Sequence, residues 1–188
     1  MPAFVSIRNG PFGDVSRAFV RRWAERMLAC LDLAQAELSV VVTDDREIGE
    51  LNKVFRHRDR PTDVLAFAMR EGEQIGAAAA VRGSREMLGD VVVSVETARR
   101  QARQRRRPLD AEVRMLLAHG VLHLVGYDHR STREETVMTA ETERLCRAAH
   151  PEVARRAGQS LASKAAPTPK SRAGSKSKKA RPKSPRPR

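Results

Sequence analysis

Cysteine is scarce in this chain of 188 residues. Its two cysteines, Cys30 and Cys146, lie far apart and neither belongs to a Cys-x-x-Cys motif. A small secreted domain stabilised by disulfides needs several cysteines at close spacing, so that class is excluded. The cysteine content is instead typical of a protein from a reducing compartment.

Long apolar runs are absent as well. No segment approaches the length of about 20 apolar residues that a membrane-spanning helix requires. The first ten residues lack the continuous apolar core of a signal peptide. We therefore expect a soluble, cytoplasmic protein without a membrane partner.

Acidic residues are almost missing from the end of the chain. From Pro151 onward there are twelve Lys or Arg residues and one acid, Glu152, together with six of the ten prolines. Such a segment buries too little apolar surface to offset its chain entropy, so residues 151–188 are predicted to be disordered. Residues 1–150 are predicted to form one domain, with 24 basic and 22 acidic residues. The tail is either a solvated extension without a specific role or a nonspecific, salt-dependent tether to a polyanion.

Three of the five histidines fall within eleven positions. His119 and His123 are four residues apart, so on a helix both side chains project from the same face. Gly126 can end that helix by adopting a positive φ, which turns the chain and brings back His129. Three neutral imidazoles leave a tetrahedral zinc with one open position, the coordination of a catalytic site.

Gly120 separates this pattern from a group of zinc proteases with the same histidine spacing. Those proteases have glutamate directly after the first histidine, where it serves as general base. Glycine cannot accept a proton, so the pattern favours phosphoester hydrolysis over peptide hydrolysis. A glutamate introduced at position 120 is predicted to restore the position of the base.

Hydrophobic periodicity indicates an α+β fold, a small mixed sheet with packed helices and the metal site in a cleft. The strands are predicted at residues 37–43, 64–69 and 88–95. Five helices are predicted, in chain order: 15–34, a helix from a cap at Asp44 to Arg56, 96–106, 109–124, and a helix from a cap at Ser131 to Ala149. Residues 70–86 are predicted to be a flexible loop. The first helix has Phe19, Trp23, Met27 and Leu31 on one face, which we interpret as core rather than as an RNA-stacking surface.

Six arginines occupy the segment 99–107, on and just after the helix predicted at 96–106. A run of this kind is either a solvated helix face or a surface that contacts phosphates.

The chain resembles the bacterial YbeY-type endoribonucleases in three blocks that occur in the family's order. These blocks are HGVLHLVGYDH at 119–129, LNKVFRHRDRPTDVLAF at 51–67 and LGDVVVS at 88–94. With the intervening helices they cover residues 35–148.

This resemblance implies a single-strand-specific metallo-endoribonuclease that acts in 16S ribosomal RNA 3′-end maturation and in ribosome quality control. It implies one Zn²⁺ per chain, held by His119, His123 and His129, with the small ribosomal subunit as partner. It also implies that Arg56 is important for activity, and a planar guanidinium suits the clamping of a phosphate.

Several alternatives stay open from the sequence. The protein can be a zinc peptidase with an unconventional base, or a non-catalytic ribosome-assembly factor whose metal site is closed. Nickel, cobalt and iron also suit three histidines. Asp63, Asp90 and Asp128 each have a structural and a functional interpretation, so the general base is left unassigned, as is the oligomeric state.

Overall fold

The computed structural model describes residues 3–69, 87–129 and 131–150. In this part of the chain the four strands are β1 (Ala3–Ile7), β2 (Glu37–Thr43), β3 (Val64–Ala68) and β4 (Met87–Ser94). The five helices are α1 (Arg17–Cys30), α2 (Asp45–Arg56), α3 (Val95–Gln104), α4 (Leu109–Leu124) and α5 (Thr132–Ala149). The loop predicted at 70–86 and the tail predicted at 151–188 lie outside the described residues.

The four strands form one mixed sheet in the order β1-β2-β4-β3. β1, β2 and β4 run parallel to one another, and β3 pairs antiparallel with β4, so that β3 forms one edge. Val64 lies opposite Val93, and Ala66 lies opposite Val91. The predicted α+β fold with a small mixed sheet and packed helices is confirmed.

Each face of the sheet is covered by helices because alternate strand residues point to opposite sides. The main core joins Val40 and Val91 to apolar residues of α1, α4 and α5. On the other face, Val41 and Val92 pack with Ile48 of α2 and with Leu65 and Phe67 of β3. α2 and the helix that carries two of the histidines therefore lie on opposite sides of the sheet.

Two predicted helix starts are formed by side-chain caps. The carboxylate of Asp44 accepts a hydrogen bond from the backbone N–H of Glu47 at 2.9 Å. Ser131 and Glu134 form a reciprocal capping box at the start of α5. Both caps satisfy donors that the first helical turn leaves free, as the sequence predicted.

The sequence-based prediction missed β1, which lies at the opposite edge of the sheet from β3. It has five residues and pairs in parallel with β2, with Val5 opposite Val40. Phe4 on this strand is exposed. A short edge strand with one exposed aromatic residue gives little alternation to detect, so its position depends on tertiary pairing rather than on local pattern.

The first helix is shorter than predicted and its apolar face is less deeply buried. α1 ends at Cys30 because Asp32 adopts a positive φ of 60° and the chain turns away. Trp23 and Met27 are buried as predicted, but Phe19 is 53% exposed and stacks on Trp23 with ring centroids 6.4 Å apart. The core interpretation was therefore wrong for Phe19.

Most of the arginine run at 99–107 is engaged in ion pairs within the fold. Arg99 pairs with Asp14 at 3.1 Å, and Arg100 pairs with Asp45 at 2.6 Å. Arg105 and Arg107 both contact the fully buried carboxylate of Glu112 on α4. A buried carboxylate needs such partners, so Arg105 and Arg107 have a structural role.

None of the helices in the described residues has the length and apolar content that crossing a membrane requires.

Candidate metal centre

α4 presents His119 and His123 on one face, and the turn after the helix brings in His129. The ring centroids of His119 and His123 are 4.8 Å apart, and the ring of His129 lies 5.8 and 5.3 Å from them. The available donor nitrogens of the three residues all lie within 4.8 Å of one another. This spacing allows one metal ion to bind all three side chains.

The turn that positions His129 depends on Gly126. Its φ of 91° is in the left-handed region, where a side chain would be strained. The backbone N–H of Tyr127 donates to the carbonyl of Leu122 at 3.0 Å, and the N–H of Gly126 donates to the carbonyl of His123 at 3.1 Å. These two bonds define a Schellman motif. α4 therefore ends at the turn that was predicted from Gly126.

The tautomer of His123 is fixed by its second ring nitrogen. Its Nδ1–H donates to the backbone carbonyl of Tyr127 at 3.0 Å. Nε2 is then left without a proton and is free to act as a metal ligand. A hydrogen bond of this kind orients the imidazole and raises its basicity as a ligand.

Burial keeps the two helical histidines neutral. It lowers the pKa of His119 to about 4, with a further contribution from the neighbouring His123 and His129. Burial and the proximity of His129 also lower the pKa of His123. Only a neutral imidazole can bind a metal. The lowered pKa values therefore keep both side chains in the form that binds a metal ion.

Asp63 is a carboxylate near the histidines. Its negative charge acts to raise the pKa of His119, against the larger effect of burial. Its Oδ1 accepts the backbone N–H of Val64 at 2.9 Å, and its Oδ2 accepts the side-chain amide of Gln101 at 2.9 Å. These bonds connect the start of β3 to α3. Asp63 therefore has a structural role, and the geometry does not make it a free base.

Asp128 and Asp90 differ in their surroundings. The Oδ1 of Asp128 accepts the backbone N–H of His129 at 2.8 Å, which favours the interpretation that it shapes the turn. Asp90 lies on β4, where it pairs opposite Phe67.

Arg56 is the last residue of α2 and is exposed to solvent. Its Nη2 donates to the backbone carbonyl of Ala66 on β3 at 3.3 Å. Its positive charge contributes to the lowered pKa of His123, so the guanidinium lies within electrostatic range of the three histidines. The fold thus brings the three histidines together and places Arg56, 63 positions before His119, close enough to influence the pKa of His123.

Gly120 lies where α4 packs directly against the sheet. A Cβ at this position would come within 2.6 Å of Val91 Cγ1 and 3.2 Å of Val64 Cγ2. A glutamate there would enter the packed valines of the sheet before it could serve as a base. The expectation that Gly120→Glu restores a protease-like base is therefore wrong.

We expect Gly120→Ala to lower the free energy of unfolding by about 1–2 kcal/mol. Overpacking a core costs about 1–3 kcal/mol, and the better helix propensity of alanine offsets up to about 1 kcal/mol of it. Urea unfolding of the metal-free protein measures this difference. Gly13→Ala is the control, because a Cβ at Gly13 would meet no atom within 4 Å. Unchanged or higher stability in Gly120→Ala would refute the packing argument.

His119 and His129 open onto a cleft between α4 and α5. A cavity of about 440 Å³ lies beside His119 and His129, and its walls include Met115, Met138 and Thr139. His129 is exposed at its mouth. A substrate therefore has access to the side of the histidine cluster that faces solvent.

The fold and the site together define an α+β domain with an accessible three-histidine centre, an arrangement that suits a metal-dependent hydrolase. The sequence model of the Endoribonuclease YbeY family matches residues 12–150. The chain therefore belongs to the YbeY endoribonuclease family, a family of RNA-cleaving hydrolases.

Individual relatives agree with this assignment. The chain is 48% identical to the endoribonuclease YbeY of Aquifex aeolicus over 124 residues, which are 66% of this chain and 77% of the relative. It is 43% identical to that of a Synechocystis strain over 130 residues, 69% of this chain and 73% of the relative. A solution structure of a Thermotoga maritima protein has the same fold, with a TM-score of 0.55 and 22% identity over 90% of this chain and 99% of that one.

Proposed function

We propose that this protein is a zinc-dependent endoribonuclease that cleaves single-stranded RNA. The observation that carries the proposal is the cluster of His119, His123 and His129, whose donor nitrogens lie within 4.8 Å of one another beside an open cleft. In a chain of an endoribonuclease family, such a cluster is best explained as the centre at which the phosphodiester is cleaved.

The histidines suit zinc in their chemistry as well as in their spacing. All three offer a ring nitrogen as a ligand, and in the described residues the cluster contains three ligands rather than four. A zinc ion held there would act as a Lewis acid towards the phosphate and would lower the pKa of water towards ~7. Tyr127 would keep His123 in the required tautomer through its backbone carbonyl.

Arg56 is proposed to bind the scissile phosphate. Its guanidinium is exposed and lies near His123, with one Nη donating to Ala66 on the strand edge. The remaining N–H groups can form paired, charge-assisted hydrogen bonds with two phosphate oxygens. This interaction would orient the phosphorus atom relative to the histidine centre and neutralise charge that develops on it.

The cellular role that we propose is 16S ribosomal RNA 3′-end maturation and ribosome quality control in the cytoplasm, with the small ribosomal subunit as partner. Its support is membership of the endoribonuclease family together with the resemblance of the three sequence blocks.

A zinc peptidase and a non-catalytic assembly factor are the two rival functions. The peptidase interpretation would require an unconventional base, because Gly120 packs against Val91 and Val64 of the sheet at the position where the zinc proteases have glutamate. The assembly-factor interpretation requires a closed metal site, whereas His119 and His129 line an open cavity. Both structural observations favour hydrolysis of RNA.

Incubation of the zinc-loaded protein with labelled substrates tests the proposed substrate class. We expect cleavage of a single-stranded RNA, with a duplex of the same sequence, a single-stranded DNA and casein left intact. Casein hydrolysis that a zinc chelator abolishes would instead establish the peptidase.

We propose that residues 1–150 form the catalytic domain and that residues 151–188 act as an accessory RNA tether. Deletion of 151–188 is expected to flatten the dependence of RNA affinity on salt, because each lost phosphate contact removes about 0.7 from the slope of log K against log salt for a single strand. Zinc content and the unfolding transition should stay unchanged. A salt slope equal to that of the full chain would exclude the tail from RNA binding.

A further inference from the structure

Phe55 is an exposed aromatic residue beside the proposed phosphate-binding arginine. It occupies the last turn of α2, directly before Arg56, and 58% of its surface is exposed. Its ring meets that of Phe67 on β3 in an edge-to-face contact, with the centroids 5.0 Å apart. The contact holds the Phe55 ring beside β3, and more than half of the residue remains exposed to solvent.

Phe55 lies outside the hydrophobic core. α2 anchors itself to the sheet through Ile48, which is fully buried, and Asn52 is the other buried residue of this helix. Val54, which precedes Phe55, is 66% exposed. The end of α2 therefore presents a small apolar surface to solvent, formed by Val54 and Phe55.

Positive charge surrounds this surface. Arg56, Arg58 and Arg60 are all exposed within five residues of Phe55. The carboxylate in this segment, Asp59, is paired with Lys53 at 2.7 Å. An aromatic face with a cationic rim matches a single-stranded nucleic acid, which offers base faces and phosphates at alternating positions.

The position of the surface relative to the histidines fits one continuous RNA strand. Arg56 reaches over the outer edge of β3 to the carbonyl of Ala66. On the other face of the same strand, Val64 lies against Gly120 of α4, next to His119. An RNA strand that runs from the histidine centre around this edge to Arg56 would pass beside Phe55, which precedes Arg56 on α2.

We propose that Phe55 stacks on a base of the single-stranded RNA that flanks the phosphate bound by Arg56. The proposal rests on the proposed function, since it takes RNA as the substrate. A base in a duplex is covered by its neighbours and offers no face to Phe55. The stacking surface would therefore give the site a physical reason to prefer single strands.

Equilibrium binding of two fluorescent probes tests this proposal with the zinc-loaded full chain. One probe is a short single-stranded oligodeoxyadenylate, and the other is the same strand with abasic residues. Moderately high salt limits the contribution of the basic tail. Stacking on one base contributes about 1–3 kcal/mol, so Phe55→Ala should weaken binding of the first probe by about tenfold and leave the abasic probe within about twofold.

Three further variants separate stacking from simple apolar contact. Phe55→Trp should bind the base-containing probe at least as tightly as the native protein, whereas Phe55→Leu should resemble Phe55→Ala. Phe19→Ala is the matched control, because Phe19 is a helical phenylalanine with 53% exposure that packs on Trp23 of α1. It should leave both affinities unchanged.

Native affinity in Phe55→Ala would overturn the proposal, and so would an equal loss of affinity for the abasic probe. Native affinity in Phe55→Leu would also overturn it and would identify a purely apolar contact, such as one with a protein partner. These outcomes are distinct from a failure of the proposed function, in which the native protein would not cleave RNA in the substrate panel.

Discussion

Replacing Arg56 with lysine is expected to slow RNA cleavage by about 100-fold or more. The loss should appear in kcat, because the guanidinium is proposed to stabilise charge that develops on the phosphate as the bond breaks, and removal of one such donor costs about 10²–10³ in rate. Lysine keeps the charge but cannot form the paired hydrogen bonds of the planar guanidinium. Single-turnover cleavage of a labelled single-stranded RNA measures the effect.

Two controls make this result specific. Arg46→Lys changes another exposed arginine of α2, one that pairs with Glu50 at the start of the helix, and should retain native activity. Zinc content should remain at one ion per chain in both variants, since neither arginine is a ligand. Native kcat in Arg56→Lys would remove Arg56 from the mechanism.

Removal of one histidine of the centre should have an equally large effect on metal binding. We expect His119→Ala and His129→Ala to weaken zinc binding by more than about 100-fold, because loss of a direct ligand should exceed the 10–100-fold cost of losing an outer hydrogen-bond partner. The metal-dependent increase in the melting temperature should vanish with it, since a ligand stabilises only the state that binds it. Competition with a chelating dye measures the affinity.

His150→Ala is the matched substitution for the two ligand variants. His150 follows α5 and does not belong to the three-histidine cluster. Zinc affinity in His150→Ala should equal that of the native chain. Native zinc affinity in His119→Ala or His129→Ala would place the metal elsewhere.

The candidate metal centre was predictable because its geometry is local. The four-residue spacing of His119 and His123 defines one helix face, and Gly126 marks the turn that leads to His129. The N-caps of α2 and α5 were predictable for the same reason, since a side chain and a backbone N–H three residues on decide them. In each case the structure depends on neighbours within about ten positions of the chain.

Features that depend on tertiary contacts were not predictable in this way. The edge strand β1 forms because β2 offers it a partner, and Gly120 is required because Val91 approaches from the sheet. The sequence pattern showed only that Gly120 is not a base. Likewise, Arg105 and Arg107, which follow α3, could not be given a structural role before the buried carboxylate of Glu112 was seen between them.

The open aromatic surface at the end of α2 belongs to the same group of features. The pattern Ile48, Leu51 and Phe55 predicts a helix, but it does not tell which of the three residues is buried. In the structure Ile48, near the start of α2, is buried, whereas Phe55, in its last turn, is exposed. Only the packing of α2 on the sheet shows that Ile48 is a core residue and that Phe55 is a candidate binding residue.

Cleavage of a labelled single-stranded RNA by the zinc-loaded native protein and by His123→Ala, purified side by side through the same steps, tests the central claim most directly. The identical purification matters because a basic protein retains RNA and can carry contaminating ribonucleases. We predict cleavage by the native protein and its loss in His123→Ala, with both proteins folded. Equal cleavage by the two proteins, or none by either, would contradict a ribonuclease centred on His119, His123 and His129.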